Sequence, residues 1–100
     1  MSTERYRVSS SPAVNSEFRQ ILLLAKSKGL LPGAILAADW IMSELARTPD
    51  EFGESRDQLP AMNLHLRVAF VEPLVVQFAV HRESRIVFIR NFGLYSRRSG

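Results

Sequence analysis

Residues 63–95 constrain this chain more than any other stretch. An alternating run over 63–71 meets a Glu72-Pro73 break, and an almost wholly apolar run follows over 74–80. A charged turn at 81–85 then leads into a third apolar run over 86–92. Short apolar runs bounded by proline and charged turns read as strands, and connections this short force neighbouring strands to run antiparallel. In the first run Leu64, Leu66, Val68 and Phe70 point one way, and Asn63, His65, Arg67 and Ala69 the other. The all-apolar set is expected to pack on the rest of the protein. Only Gln77 interrupts the 74–80 run, as expected of a central strand.

Two helical segments precede this sheet. Phe18, Ile21, Leu22 and Ala25 recur at helical spacing, with Asn15 or Ser16 as the expected cap and Gly29 as the closing residue. Pro32 suits the first turn of a second helix, along which Ala34, Ala38, Ile41 and Leu45 mark one face, with Ile35 and Met42 beside it. Thr48-Pro49 ends that helix, because a residue before proline is pushed out of the helical region. The short link between the helices predicts an antiparallel hairpin. Trp40 and Phe18, at helical spacing, are expected in the core. Tyr6 and Val8 alternate with Arg5, Arg7 and Ser9, a short strand ending at Ser11-Pro12 and expected beside one of the later strands. Residues 49–60, acidic and polar with Gly53 and two prolines, read as a loop with one turn around Phe52.

The expected fold is therefore α+β, in the order β-α-α-β-β-β, with a two-helix hairpin on a small antiparallel sheet. One hundred residues, 46% hydrophobic and 23% charged, make a single globular domain over 1–100, with 96–100 read as a flexible tail. No apolar run approaches the roughly 20 residues of a membrane span, and no apolar stretch follows the N-terminus as in a signal peptide. With no cysteine there is neither a disulfide framework nor a thiolate metal site. A cytoplasmic location is the default expectation.

Charge is distributed in blocks. Residues 1–38 balance at +3, residues 39–57 at −4 and residues 58–100 at +4. Arginine supplies eleven of the thirteen positive charges, and its planar fork suits phosphate and carboxylate partners. An arginine-biased sheet can meet nucleic acid or an acidic protein; a solvated surface explains the same charges.

No phosphate-binding glycine loop, zinc motif or nucleophile elbow is present, so no cofactor and no metal are expected. One constellation carries possible chemistry. Period-two alternation puts His65 and Arg67 on the sheet face away from the helices, with Gln77 beside them. Arg90 joins them if its strand presents it there, and Tyr95 follows. Arginines hold phosphates and stabilise developing charge, while histidine and tyrosine move protons. The same residues equally describe the polar side of a half-exposed sheet.

Several segments together carry a likeness to a known family. They are "SPAV" (residues 11–14), "SEFRQILLLAKSKG" (16–29), "LARTPDEFGE" (45–54) and "LHLRVAFVEPLVVQFAVHRESRIVFIRNF" (64–92). In this order the chain resembles the RelE/ParE superfamily of toxins from bacterial type II toxin–antitoxin modules. The resemblance implies a small cognate antitoxin, and a target that is either DNA gyrase or the translating ribosome and its message. RNA-cleaving members carry basic residues where this chain has Asn63 and His65, with Arg67 close by. They carry an arginine where it has Val75, and a C-terminal pair for which Arg90 and Tyr95 would stand. Without that arginine, the ParE-like branch, acting by protein binding, is the leading expectation. The alternatives are a RelE-type endoribonuclease using His65, Arg67, Arg90 and Tyr95, and a non-toxic module that forms a homodimer through its outer sheet face.

Overall fold

A computed structural model describes residues 5–95; the expected tail at 96–100 lies outside them. The chain opens with β1 (Arg7–Ser10), followed by α1 (Pro12–Ser27) and α2 (Leu31–Arg47). Then come β2 (Glu54–Leu59), a 3-10 turn (Pro60–Met62), β3 (Leu64–Val71), β4 (Leu74–His81) and β5 (Ile86–Leu94). The cap of α1 lies four or five residues before the expected Asn15 or Ser16. Ser11 is its N-cap, with Oγ accepting from the Val14 amide at 3.1 Å, and Pro12 opens the helix. Gly29, at φ +75°, closes it. No helix among the described residues is long and apolar enough to cross a membrane.

The strands form one mixed sheet in the order β1-β5-β4-β3-β2. Strand β1 runs parallel to β5, and every other pair is antiparallel. The architecture is thus α+β, with the helix hairpin laid on a five-stranded sheet. It holds one strand more than the expected order, because β2 forms inside the stretch read as a loop. Its sequence, Glu54-Ser55-Arg56-Asp57-Gln58-Leu59, has no apolar alternation to announce a strand, and all but Leu59 are exposed. Pairing with β3 defines it, and charges with a bulge between Ser55 and Asp57 suit a sheet edge.

The central strand fixes which face is covered. Leu74, Val76 and Phe78 on β4 are fully buried and Val80 nearly so, all within the core beneath the helices. Residues directly opposite across a ladder share a face, so these four bring Val71, Ala69, Arg67 and His65 of β3 onto the helix side. This reverses the expected orientation of β3. Leu64, Leu66, Val68 and Phe70 lie on the open face instead. Alternation shows that two faces differ, but not which one meets the helices, and a one-residue choice inverts every side chain.

Helix α2 buries Ala34, Ala37, Ile41 and Leu45. Small residues on that stripe let the helix sit close to the sheet. Trp40, expected in the core, is 57% exposed because it falls off this stripe, in step with the still more exposed Leu36 one turn earlier. Phe18 is half-buried as part of the packing, its ring 4.7 Å from that of Phe92.

Where the helices stop short, the loop joining α2 to β2 takes over. Phe52 stacks on Phe78 with ring centroids 6.0 Å apart. Gly53 lies so close to β3 that an added Cβ would stand 2.2 Å from the Val68 carbonyl oxygen, and its φ is +75°. Both the space and the backbone demand glycine. Gly53→Ala is expected to destabilise the fold by at least about 2 kcal/mol, read as a lower urea midpoint at unchanged slope.

Candidate functional site

The four sequence candidates do not converge. His65 and Arg67 are on the helix-facing side of β3, and each is half-buried. Arg67 is held by the backbone: Nε donates to the Phe52 carbonyl at 2.9 Å, and Nη2 to the Gly53 carbonyl at 2.9 Å. This clamp fastens the loop that covers Phe78, so the guanidinium serves the fold. His65 Nε2 and Ser55 Oγ share a hydrogen bond of 3.2 Å across to the edge strand.

Arg90 and Tyr95 belong to the other face. On β5, Ile89 pairs with Phe78 and Phe92 with Val76, both on the helix side, while Asn91 pairs with Gln77. Two residues therefore stand between the inward pair, and the bulge places Arg90 with Asn91 on the open face. There the Asn91 amide donates to Gln77 Oε1 at 3.2 Å. The Tyr95 ring meets Phe70 edge-on at 5.1 Å. Gln77 is thus separated by the sheet from His65 and Arg67, with which it was expected to stand.

A polar groove of about 300 Å³ lies at the β3–β4 end of the helix-facing side, lined by Gln58, Asn63, Leu64, His65, Val80 and Arg82. Asn63, at φ 57°, donates from Nδ2 to Glu83 Oε1 at 2.9 Å. Arg82 Nε donates to Asp50 Oδ1 at 3.0 Å. Of the candidate residues only His65 lines this groove. A histidine beside one ion-paired arginine can bind a polar or anionic group; its Nε2 is taken up by the Ser55 hydroxyl, and among the described residues no carboxylate is hydrogen-bonded to the ring to orient it as a base. Among the described residues, no three His, Asp or Glu side chains gather as a metal ion would require.

A second groove, of about 350 Å³, opens between the helices. Phe18 and Leu22 of α1 face Ile35 and Met42 of α2, over a floor of Ile89 and Phe92. Asp39 stands on its wall. Glu17 Oε1 accepts from the Phe92 amide at 2.9 Å, tying α1 to β5 beyond the point where β1 ends.

Compared with known protein families, curated proteins and solved structures, the chain matches no family model, no curated protein and no solved structure.

Asp50 went unsignalled in the sequence, yet it joins three segments. One carboxylate oxygen accepts from the Tyr6 hydroxyl at 3.1 Å, ahead of β1, and the other from Arg82 in the β4–β5 turn. The Arg85 guanidinium lies 5.9 Å from the centroid of the Tyr6 ring. Burial, reinforced by the Asp50 carboxylate and its hydrogen bond, raises the Tyr6 pKa above the ordinary phenol value. The folded state therefore favours the neutral phenol. That contribution is fully present below the unfolded-state pKa and is lost as pH rises through the folded one. Tyr6→Phe is expected to cost about 1 kcal/mol at neutral pH. Because only the parent must ionise a hydrogen-bonded phenol, its advantage should shrink above about pH 10, measured by chemical denaturation at stepped pH.

Proposed function

We propose that this chain is the toxin-like component of a type II toxin–antitoxin module, of RelE/ParE type, acting by protein binding on a gyrase-type target. The observation that carries this reading over RNA cleavage is the division of the four polar candidates. His65 and Arg67 lie on one side of the sheet, Arg90 and Tyr95 on the other. Ribonuclease chemistry at phosphate needs charge stabilisation and proton transfer converging on one reacting centre. Arg67 is moreover engaged with two backbone carbonyls. Val75, standing where RNA-cleaving members of the resembled family carry an arginine, offers no charge.

The helix hairpin followed by an antiparallel meander supports the same reading. The apolar groove between α1 and α2 suits a small antitoxin. An amphipathic helix laid along it would bury apolar residues against Phe18, Leu22, Ile35 and Met42, and could place a basic residue near Asp39.

The test is inducible expression in bacteria, with and without any short reading frame found encoded next to this one. Expression alone should arrest growth and relax plasmid supercoiling while message stays intact, and co-expression should restore growth. Unimpaired growth would contradict the reading. Cleavage of message on translating ribosomes, abolished by Arg90→Ala, would transfer it to the ribonuclease alternative.

A further inference from the structure

The open face of the sheet combines apolar surface with a defined pattern of charge. Ladder pairing arranges it in rows that cross the strands. One row reads Glu54, Val68, Gln77 and Asn91, with Arg90 at the bulge beside Asn91. The next reads Asp57, Leu66, Ala79, Phe88 and Ser9, and beyond it Ile86 pairs with both His81 and Arg7. No helix packs on these rows. Phe70 is 49% and Phe88 40% exposed, with half-buried Leu66, Val75 and Ile86 around them, while Val68 and Ala79 are already buried between their neighbours. An antiparallel sheet face turned to water ordinarily carries polar residues, so an apolar face of this extent marks an interaction surface.

Charge flanks the apolar rows unequally. Arg90 and Arg7 stand on the β5–β1 side. Glu54 and Asp57 stand on the β2 margin, with Arg56 at the bulge between them. None of these five makes an ion pair among the described residues.

We propose that this face is the interface between two copies of this chain, packed sheet on sheet about a two-fold axis parallel to the central strand β4. Self-complementarity is what an isologous contact requires, and this axis supplies it. It keeps each row level while exchanging the two sides of the sheet, laying β5 of one copy over β3 of the other and β1 over β2. Phe88 then meets Leu66 of the second copy, and Arg90 meets the Val68–Glu54 end of its own row. An axis across the strands would instead stack the arginine side on itself and the carboxylate margin on itself. Aromatic side chains on an open sheet also suit single-stranded nucleic acid. Carboxylates at the margin and the apolar Leu66–Ala79–Phe88 row favour a protein surface, and a second copy brings Arg90 toward the Glu54 end of its row, while Arg7, level with Ile86, lies one row beyond Asp57. The inference stands independently of the toxin reading.

Sedimentation equilibrium of the full chain from micromolar to millimolar concentration tests it, with far-ultraviolet circular dichroism verifying the fold of each variant. A monomer–dimer equilibrium is expected. Arg90→Glu and Glu54→Arg should each raise Kd about tenfold or more, and the double reversal should return it to within about threefold of the parent. Phe88→Ser should abolish the dimer, whereas Trp40→Ser, on the exposed side of α2, should leave it unchanged. A parent chain that stays monomeric throughout, or a double reversal no tighter than either single change, overturns the proposal. So does binding of a single-stranded oligouridine that is lost in Phe88→Ser while the parent remains monomeric, which would assign the face to nucleic acid.

Discussion

The structure depends on the burial of β4. Its inward residues Leu74, Val76, Phe78 and Val80 lie almost wholly out of water, and they hold together elements far apart in sequence. Full burial of an apolar side chain of this size contributes roughly 1.5–3 kcal/mol, so these four together supply a substantial share of what this small domain gains from its core. β5 and β3 flank the strand, the helices cover it, and Phe52 closes the remaining corner above Phe78. Shifting β4 by one residue would exchange this row for Val75, Gln77, Ala79 and His81. No comparable core could form, which is why the register of the whole sheet follows from this strand.

Polar interactions act around that core mainly as fasteners. Arg67 grips the loop carrying Phe52 and Gly53, Asp50 ties the start of the chain to the β4–β5 turn, and Glu17 satisfies an amide of β5 where β1 has ended. Side chains that resembled a catalytic set by sequence position are thus divided between two faces, and one of them is a structural clamp. Besides the polar groove at His65, the described residues leave an apolar groove between the helices and a partly apolar sheet face with charged margins. Both apolar surfaces suit contact with other proteins.

Much of the fold was legible because it rests on local signals. The proline and glycine boundaries of the helices, the apolar run of β4 and the charged turn before β5 each mark a chain event directly. What escaped was decided by tertiary contact. β2 is a strand only because β3 offers it a partner, and its own residues favour a loop. The orientation of β3 was hidden because both phases of its alternation contain apolar residues. The larger set, Leu64, Leu66, Val68 and Phe70, lies opposite the helices, while the smaller Ala69 fits beneath them beside Gly53. Trp40 misled for the opposite reason: its size suggested burial, but α2 packs through the stripe of Ala34, Ala37, Ile41 and Leu45, which Trp40 falls outside. The bulge at Arg90 breaks the period-two rule and carries no sequence mark, so the division of the candidate residues could not be read before the ladder was known.

The claim on which the site and interface arguments rest is the division of the sheet into a covered and an open apolar face, with His65 and Arg67 on the covered side. Methyl-to-methyl nuclear Overhauser effects in dilute solution test it directly. Cross-peaks should link methyl groups of α2 to Ala69, Val76 and Val80, with none to Leu66, Val68 or Val75. Helix cross-peaks to Leu66 and Val68, and none to Ala69, would show that β3 is turned the other way and would contradict the account.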